Sequence, residues 1–170
     1  MTGMAQGADL LVVQAALQAG WKIDAVLPLP LARYIEDFDA HCADELRALL
    51  ANPAVSCTEL PAPAGADPTA PRGTSRAAFY SNLTQLLTQK CDLLLALWNG
   101  KTSARAGGTA YTVSRFLATR SHFVYWVPTP RGTEAPQLSQ EPAYLSSIAG
   151  NVVTTHGREM PEVLAQQLNA

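Results

Sequence analysis

A glycine-rich segment at residues 2–9 (TGMAQGAD) runs directly into a helical pattern that begins near Leu10. Glycine lets the backbone turn sharply and approach a ligand closely, because it has no Cβ atom. The first amides of a helix lack helical partners and lie at the positive end of the helix dipole. This first junction could therefore bind a phosphate group. The candidate contacts are Gly3, Met4, Gly7, Ala8 and Asp9.

A second junction at residues 99–109 (NGKTSARAGGT) joins the most apolar strand pattern to another helical pattern. Ligands of doubly wound folds bind beyond the carboxyl ends of the strands. Lys101 and Arg105 are cations that could neutralise a phosphate there, and Trp98 could stack on a base or serve only in packing. The glycine-rich helix start consists of Gly107, Gly108 and Thr109.

Either junction alone is typical of a tight turn followed by a helix cap. Two such junctions, each predicted at the end of a sheet strand, favour a binding site. Asp9 could cap its helix, or it could accept a hydrogen bond from a ribose hydroxyl or a backbone amide. It is also the one candidate that we identify for a catalytic acid.

The elements that would position these junctions alternate along the chain. Short apolar runs bounded by turn residues predict strands at residues 23–27, 92–98, 122–127 and 151–155, with a weaker candidate at 54–60. Helical spacing of apolar residues predicts helices at 10–17, 79–87, 113–117 and 160–168, and one or two more within 34–50. This order predicts a single α/β domain over residues 1–170: a three-layer, Rossmann-like, mostly parallel sheet with helices on both faces.

Two segments rich in Pro, Ala, Gly or polar residues, at about 61–76 and 129–142, are predicted to be mobile loops. Such loops serve as lids or interaction segments, or they are inert insertions. Trp21 and Trp126 are expected to pack in the core or between helix and sheet.

The formal net charge of −2, with 12 scattered Lys and Arg residues, argues against binding of a long nucleic acid. No apolar run is long enough to span a bilayer, and the first residues do not resemble a signal peptide. We therefore expect a cytoplasmic protein without a membrane partner. Cys42, Cys57 and Cys91 are expected to be reduced thiols, and the isolated histidines predict no metal site.

Four motifs, in order, resemble those of the SLOG superfamily, the Rossmann-like group that contains the DNA-processing protein DprA and the LOG nucleotide hydrolases. They are TGMAQGAD at residues 2–9, AVLPLP at 25–30 with Tyr34 and Asp37, DLLLALWNG at 92–100, and GGT at 107–109. The resemblance covers residue 2 to about 127.

The resemblance implies that both junctions contact one nucleotide or nucleotide-derived ligand. Trp98, Asn99 and Gly100 would line the same crevice, with Pro28 and Tyr34 near the base or sugar. No other cofactor is expected. A ligand-binding or sensing module is thus the leading hypothesis.

Two features depart from the family pattern. In LOG-type hydrolases a glutamate follows the GGT motif, and an oxocarbenium-like transition state needs a nearby carboxylate. Here GGT continues as AYTV, so the chain leans away from catalysis. An N-glycoside hydrolase or transferase and a non-catalytic interaction module stay as alternatives. The family also has a strand, a helix and most of another strand before the first motif; a homo-oligomer that covers the exposed edge is the explanation we favour over truncation.

Overall fold

A computed structural model describes residues 1–69, 76–103, 107–118, 123–129, 141–148, 151–157, 160–162 and 166. The chain divides into two compact units, Met1–Leu87 and Thr88–Ala170, with the division near the end of one helix. That residues 1–170 form a single domain stays a prediction.

The first unit surrounds a small parallel sheet. Its elements are α1 (Ala8–Gln18), β1 (Ile23–Leu27), α2 (Leu31–Tyr34), a 3₁₀ turn (Ile35–Asp37), α3 (Ala40–Leu50), β2 (Val55–Glu59) and the greater part of α4 (Ala77–Lys90). β1 pairs in parallel with β2, from Ile23 opposite Val55 to Leu27 opposite Glu59. The core includes Leu10 and Val13 of α1, Leu27 of β1, Leu46 of α3 and Phe79 of α4.

The second unit contains a mixed four-stranded sheet. Its elements are β3 (Leu93–Trp98), α5 (Thr109–Leu117), β4 (Phe123–Pro128), β5 (Ala143–Ile148) and β6 (Asn151–His156). The strands lie in the order β3-β4-β5-β6. β3 pairs in parallel with β4, whereas β4 with β5 and β5 with β6 are antiparallel. Val113 and Phe116 of α5 pack with Ala96 and Val124 of the sheet.

The α/β class and most predicted elements are confirmed. The strand at 23–27 has its predicted bounds, and the weak candidate at 54–60 is β2. The observed sheets have two and four strands, and the larger is mixed rather than parallel. β5 was not predicted. It follows the segment predicted as a loop and pairs with β6 as a hairpin. The strand predicted at 151–155, which is β6, is therefore antiparallel to its neighbour.

Other expectations meet the structure only in part. Within the predicted loop at 61–76, residues 61–69 form neither helix nor strand, whereas Arg76 is buried and hydrogen-bonded. The loop at 129–142 and the helix at 160–168 lie largely outside the described residues. The expectation that Trp21 packs in the core is wrong, because its side chain is 68% exposed. No helix among the described residues is long and apolar enough to cross a membrane.

Candidate functional site

The first junction lies at the carboxyl edge of the small parallel sheet. Thr2 pairs with β1 in parallel: its amide donates to the carbonyl of Asp24 (2.9 Å), and its carbonyl accepts from the amide of Val26 (2.9 Å). Residues 3–7 therefore leave the sheet at the end where β1 and β2 also finish. This is the edge at which parallel sheets bind ligands.

A short chain of hydrogen bonds closes the loop on itself. The Met4 amide donates to the Thr2 hydroxyl (3.2 Å), and that hydroxyl donates to Oδ2 of Asp9 (3.2 Å). The same carboxylate oxygen accepts from the Ala5 amide (3.1 Å). Burial raises the pKa of Asp9, while the Ala5 and Thr2 hydrogen bonds act in the opposite direction. Asp9 thus binds its own loop instead of capping α1.

Tyr34 holds the loop from within the unit. Its hydroxyl donates to the carbonyl of Gly3 (2.8 Å), and its ring packs edge-on against Phe38 with centroids 5.0 Å apart. Burial, with smaller contributions from Tyr80, Asp9 and Asp37, raises the Tyr34 pKa well above its usual value of 10.0. Tyr34 is 1% exposed and Pro28 is also buried. Both residues that were expected on the base or sugar side are therefore buried, and Tyr34 contacts the loop from within the unit.

The tip of the loop is tied to α3. The Gln6 side chain donates to Oδ2 of Asp39 (2.6 Å) and accepts from the Asp39 amide (3.1 Å). Asp39 is the N-cap of α3, where Oδ1 accepts from the Cys42 amide (2.8 Å). This reciprocal pair fixes the exposed part of the loop relative to a second helix.

Gly3 and Gly7 serve different purposes. A Cβ atom on Gly3 would lie 2.6 Å from Cδ2 of Leu83 in α4, so this glycine permits internal packing. Gly7 has φ +97°, and a Cβ atom there would meet nothing within 4 Å. Residues that carry a side chain rarely adopt that backbone conformation. Gly7 therefore sets the turn into α1 on an open side of the loop.

The first turn of α1 is left available. Gly7 supplies no side-chain cap, and within the described part of the chain the amides of Ala8, Asp9 and Leu10 have no hydrogen-bond acceptor. These amides, with the positive end of the α1 dipole, could bind an anionic group. Met4 is fully buried and its amide is bonded to Thr2, so its role in the structure is packing.

The second junction is organised by two tryptophans. The Trp98 indole donates to the carbonyl of Lys101 (3.0 Å), and the Trp126 indole donates to the carbonyl of Trp98 (2.8 Å). The Asn99 side chain accepts from the Lys101 amide (3.2 Å). Gly100 has φ +77°, and a Cβ atom there would lie 3.1 Å from the Trp126 ring. The two rings, 6.0 Å apart, thus fix the turn after β3.

The helix start of this junction follows three undescribed residues. Gly108 is the N-cap of α5, with ordinary extended backbone and no side-chain cap, and Thr109 begins the helix. Lys101 is exposed, and Arg105 lies outside the described residues. Because the two junctions belong to different units, their convergence on one ligand stays a prediction.

Sequence reasoning missed a charged cluster next to α2, the helix that carries Tyr34. Arg76 is 2% exposed and donates to Asp37 (2.7 Å), Glu36 (3.0 Å) and the carbonyl of Arg33 (3.3 Å). Tyr80 donates to Asp37 as well (2.7 Å). No local pattern distinguishes Arg76 from Arg72 in the same Pro- and Ala-rich segment. The Asp39 cap could have been found, since Asp before a helical pattern is a strong N-cap signal.

Among the described residues, no group of three or more His, Cys, Asp or Glu side chains could hold a metal ion. Comparison with protein-family models, with curated proteins and with solved structures finds no match.

Proposed function

We propose that the chain binds a phosphorylated small molecule, a nucleotide or nucleotide derivative, with its phosphate on the first turn of α1. The observation that carries this proposal is the contrast within the first junction. The amides of Met4 and Ala5 are bonded inside the loop, whereas those of Ala8, Asp9 and Leu10 have no acceptor among the described residues. A loop fixed on three sides would present those amides with little loss of conformational entropy on binding.

The resemblance to the SLOG superfamily supports a nucleotide over a simple anion, and with it a Rossmann-like arrangement that also brings the second junction to the ligand. In this proposal Gly108 and Thr109 contact the same ligand, and Trp98 faces its base.

Binding or sensing is favoured over N-glycoside cleavage. The helix start at Thr109 continues with Ala110, Tyr111 and Thr112, so its first turn supplies no carboxylate. Asp9, the remaining candidate, already accepts two hydrogen bonds from its own loop. A catalytic acid must reach the reacting atoms, and in this geometry Asp9 is engaged elsewhere.

The test places a charge among the proposed phosphate-binding amides. An acid in the first turn of a helix interacts favourably with the helix dipole, so Ala8→Asp is expected to fold while repelling phosphate. Ala8→Asn is the matched control, with the same size and no charge. Affinities for inorganic phosphate, AMP, ADP and ADP-ribose would be measured by NMR titration of the full chain.

We expect wild type to prefer nucleotides to inorganic phosphate. Ala8→Asp should weaken nucleotide binding at least about tenfold, equivalent to about 1.4 kcal/mol, and Ala8→Asn should stay close to wild type. The proposal is wrong if wild type binds none of these compounds, or if Ala8→Asp binds them as well as Ala8→Asn does. Release of free base would support the enzyme instead.

The same design tests the second junction. If both junctions hold the ligand, Thr109→Asp should weaken binding of the same nucleotide, and Thr109→Asn, its control, should not. Coupling between Ala8→Asp and Thr109→Asp in a double-mutant cycle would indicate a shared phosphate. An unchanged affinity in Thr109→Asp would restrict the site to the first junction.

A further inference from the structure

Asp9 lies in the first turn of α1, and its carboxylate bonds to the loop that precedes the helix. Side-chain caps come from the N-cap position, which Gly7 occupies here, and Oδ2 of Asp9 accepts from the Thr2 hydroxyl (3.2 Å) and the Ala5 amide (3.1 Å). Through Thr2, it is also linked to the Met4 amide (3.2 Å). Asp9 therefore joins the start of α1 to the beginning of the loop.

The bonded loop contains a residue in an unfavourable conformation. Met4 has φ +55°, in the left-handed region, where an ordinary side chain costs about 1–2 kcal/mol. Its side chain is fully buried and its amide is held by Thr2. Strain of this kind persists only where the surroundings impose it. The Thr2–Asp9 contact is one of the interactions that impose it here.

The opposite side of the same peptide segment is held by Tyr34. Its buried hydroxyl donates to the Gly3 carbonyl (2.8 Å), one residue before Met4. The left-handed turn is thus fixed by Asp9 and Thr2 on one side and by Tyr34 on the other. The path of the chain into Gly7 and α1 follows from that turn.

We propose that Asp9 is a positioning residue: its carboxylate, through Thr2 and Ala5, sets the direction of the α1 amides without touching the ligand. This inference rests on the proposed function, since those amides are the proposed phosphate site. It assigns Asp9 a role different from a catalytic acid or a ribose acceptor. It also identifies the negative charge as dispensable, because an uncharged acceptor of the same shape can make both hydrogen bonds.

Three Asp9 forms separate these roles. Asp9→Asn keeps an acceptor for Thr2 and Ala5 but removes a negative charge close to the proposed phosphate. Asp9→Ala removes the acceptor. Inorganic phosphate is the probe, titrated into the full chain and followed by amide chemical shifts of residues 3–10. Ligand-free melting temperatures ensure that affinities are compared between folded proteins.

Phosphate affinity of Asp9→Asn should equal that of wild type or exceed it by up to about threefold, because like-charge repulsion is removed. Asp9→Ala should bind about tenfold more weakly, since the loop loses both hydrogen bonds. Thr2→Ser should bind as wild type does and Thr2→Val as Asp9→Ala does. An Asp9→Asn variant as weak as Asp9→Ala would overturn the proposal, because the charge itself would then be needed.

Amide hydrogen exchange without ligand distinguishes failure of this inference from failure of the proposed function. Asp9→Ala should speed exchange of the Ala5 amide at least about tenfold, and Asp9→Asn should leave it near wild type. Unchanged exchange in Asp9→Ala would overturn the positioning role. The exchange results could match expectation while the wild-type protein binds no phosphate. That outcome would support the contacts of Asp9 with the loop and overturn the proposed function.

Discussion

The two glycine-rich junctions have the same order of elements, a strand-like segment, a glycine loop and a helix, but different contacts hold their loops. In the first, side chains from other elements bind the loop: Tyr34 holds Gly3, and Asp39 holds Gln6. In the second, the indoles of Trp98 and Trp126 donate to backbone carbonyls at the end of β3. One loop depends on buried polar contacts across the unit, and the other on aromatic packing close to the sheet.

This difference shows what a glycine motif does and does not specify. A Cβ atom on Gly3 would lie 2.6 Å from the Leu83 side chain, Gly7 has a positive φ, and Gly108 has ordinary extended backbone. The motif marks where a helix begins at a sheet edge. The residues that make the loop rigid are distant in sequence, and they decide whether its amides are presented in one geometry.

The largest expected effect comes from the charged cluster around Arg76, in the unit that holds the first junction. Arg76→Met leaves Asp37 and Glu36 without their buried partner. We expect the free energy of unfolding to fall by about 2–4 kcal/mol. This loss is somewhat smaller than is usual when a fully buried ion pair is broken, because the Glu36 side chain is 40% exposed. Urea denaturation would measure it. Arg47→Met, which removes an exposed pair with Asp44, is the control and should cost at most about 1 kcal/mol.

Equal losses in the two arginine variants would contradict this account of Arg76. They would indicate that the buried pairs of Arg76 contribute no more to stability than an exposed pair does.

The same chemical change in each junction gives the next largest effect. Tyr34→Phe removes the hydroxyl that satisfies the Gly3 carbonyl, and a buried unsatisfied carbonyl costs about 1–3 kcal/mol. Tyr111→Phe, in the helix of the second junction, removes a half-buried hydroxyl and should change stability by less than about 0.5 kcal/mol. Thermal denaturation of both variants would check the difference, and a reversed order would show that Tyr34 contributes only its ring.

The sequence predicts local features of this protein better than long-range ones. β1, bounded by Pro28, and the strands around Leu93–Trp98 and Phe123–Pro128 are evident as short apolar runs. β5 is harder to predict, because Ala143–Ile148 follows a Pro-rich segment of the sequence and is less apolar. Only two residues separate it from β6, which is a hairpin signal that would have predicted the antiparallel pairing.

The candidate site follows the same division. The glycines and the helix starts at Ala8 and Thr109 are apparent in the sequence. The contacts of Thr2 with Asp9 and of Tyr34 with Gly3 are not, since they depend on how the loop folds back. The resemblance implies that Tyr34 lies near the base or sugar of a ligand, and that stays a prediction, but it does not indicate that the Tyr34 hydroxyl bonds to Gly3.

Serine in place of the glycine before each helix should change stability with opposite signs at the two helix starts. Gly108 has ordinary extended backbone, so Gly108→Ser adds a side-chain cap to α5 and should stabilise by a few tenths, about 0.3 kcal/mol. Gly7 has φ +97°, so Gly7→Ser should destabilise by about 1–3 kcal/mol. Melting temperatures of the two variants, measured side by side, should rise for Gly108→Ser and fall for Gly7→Ser. Stabilisation by both substitutions would contradict the turn that we assign to Gly7.

The smallest effect is a dependence on pH. Burial raises the pKa of Asp9 above its ordinary value of 3.8, so folding favours the protonated form and the charge lowers stability at neutral pH. Asp9→Asn should therefore be slightly more stable than wild type near neutrality. Its advantage should shrink as the pH falls through the raised pKa and disappear below 3.8, where Asp9 is protonated in both folded and unfolded chains.

Asp39 supplies a control of opposite sign, because its hydrogen bond from the Cys42 amide lowers the pKa of its carboxyl group. Wild type should be more stable than Asp39→Asn above the ordinary value of 3.8, and that difference should fade as the pH drops through the lowered pKa. Melting temperatures of the three proteins across this range would resolve both trends. Parallel trends for the two variants would mean that Asp9, like Asp39, is stabilised as a carboxylate, and the first loop would then be held by charge rather than by shape.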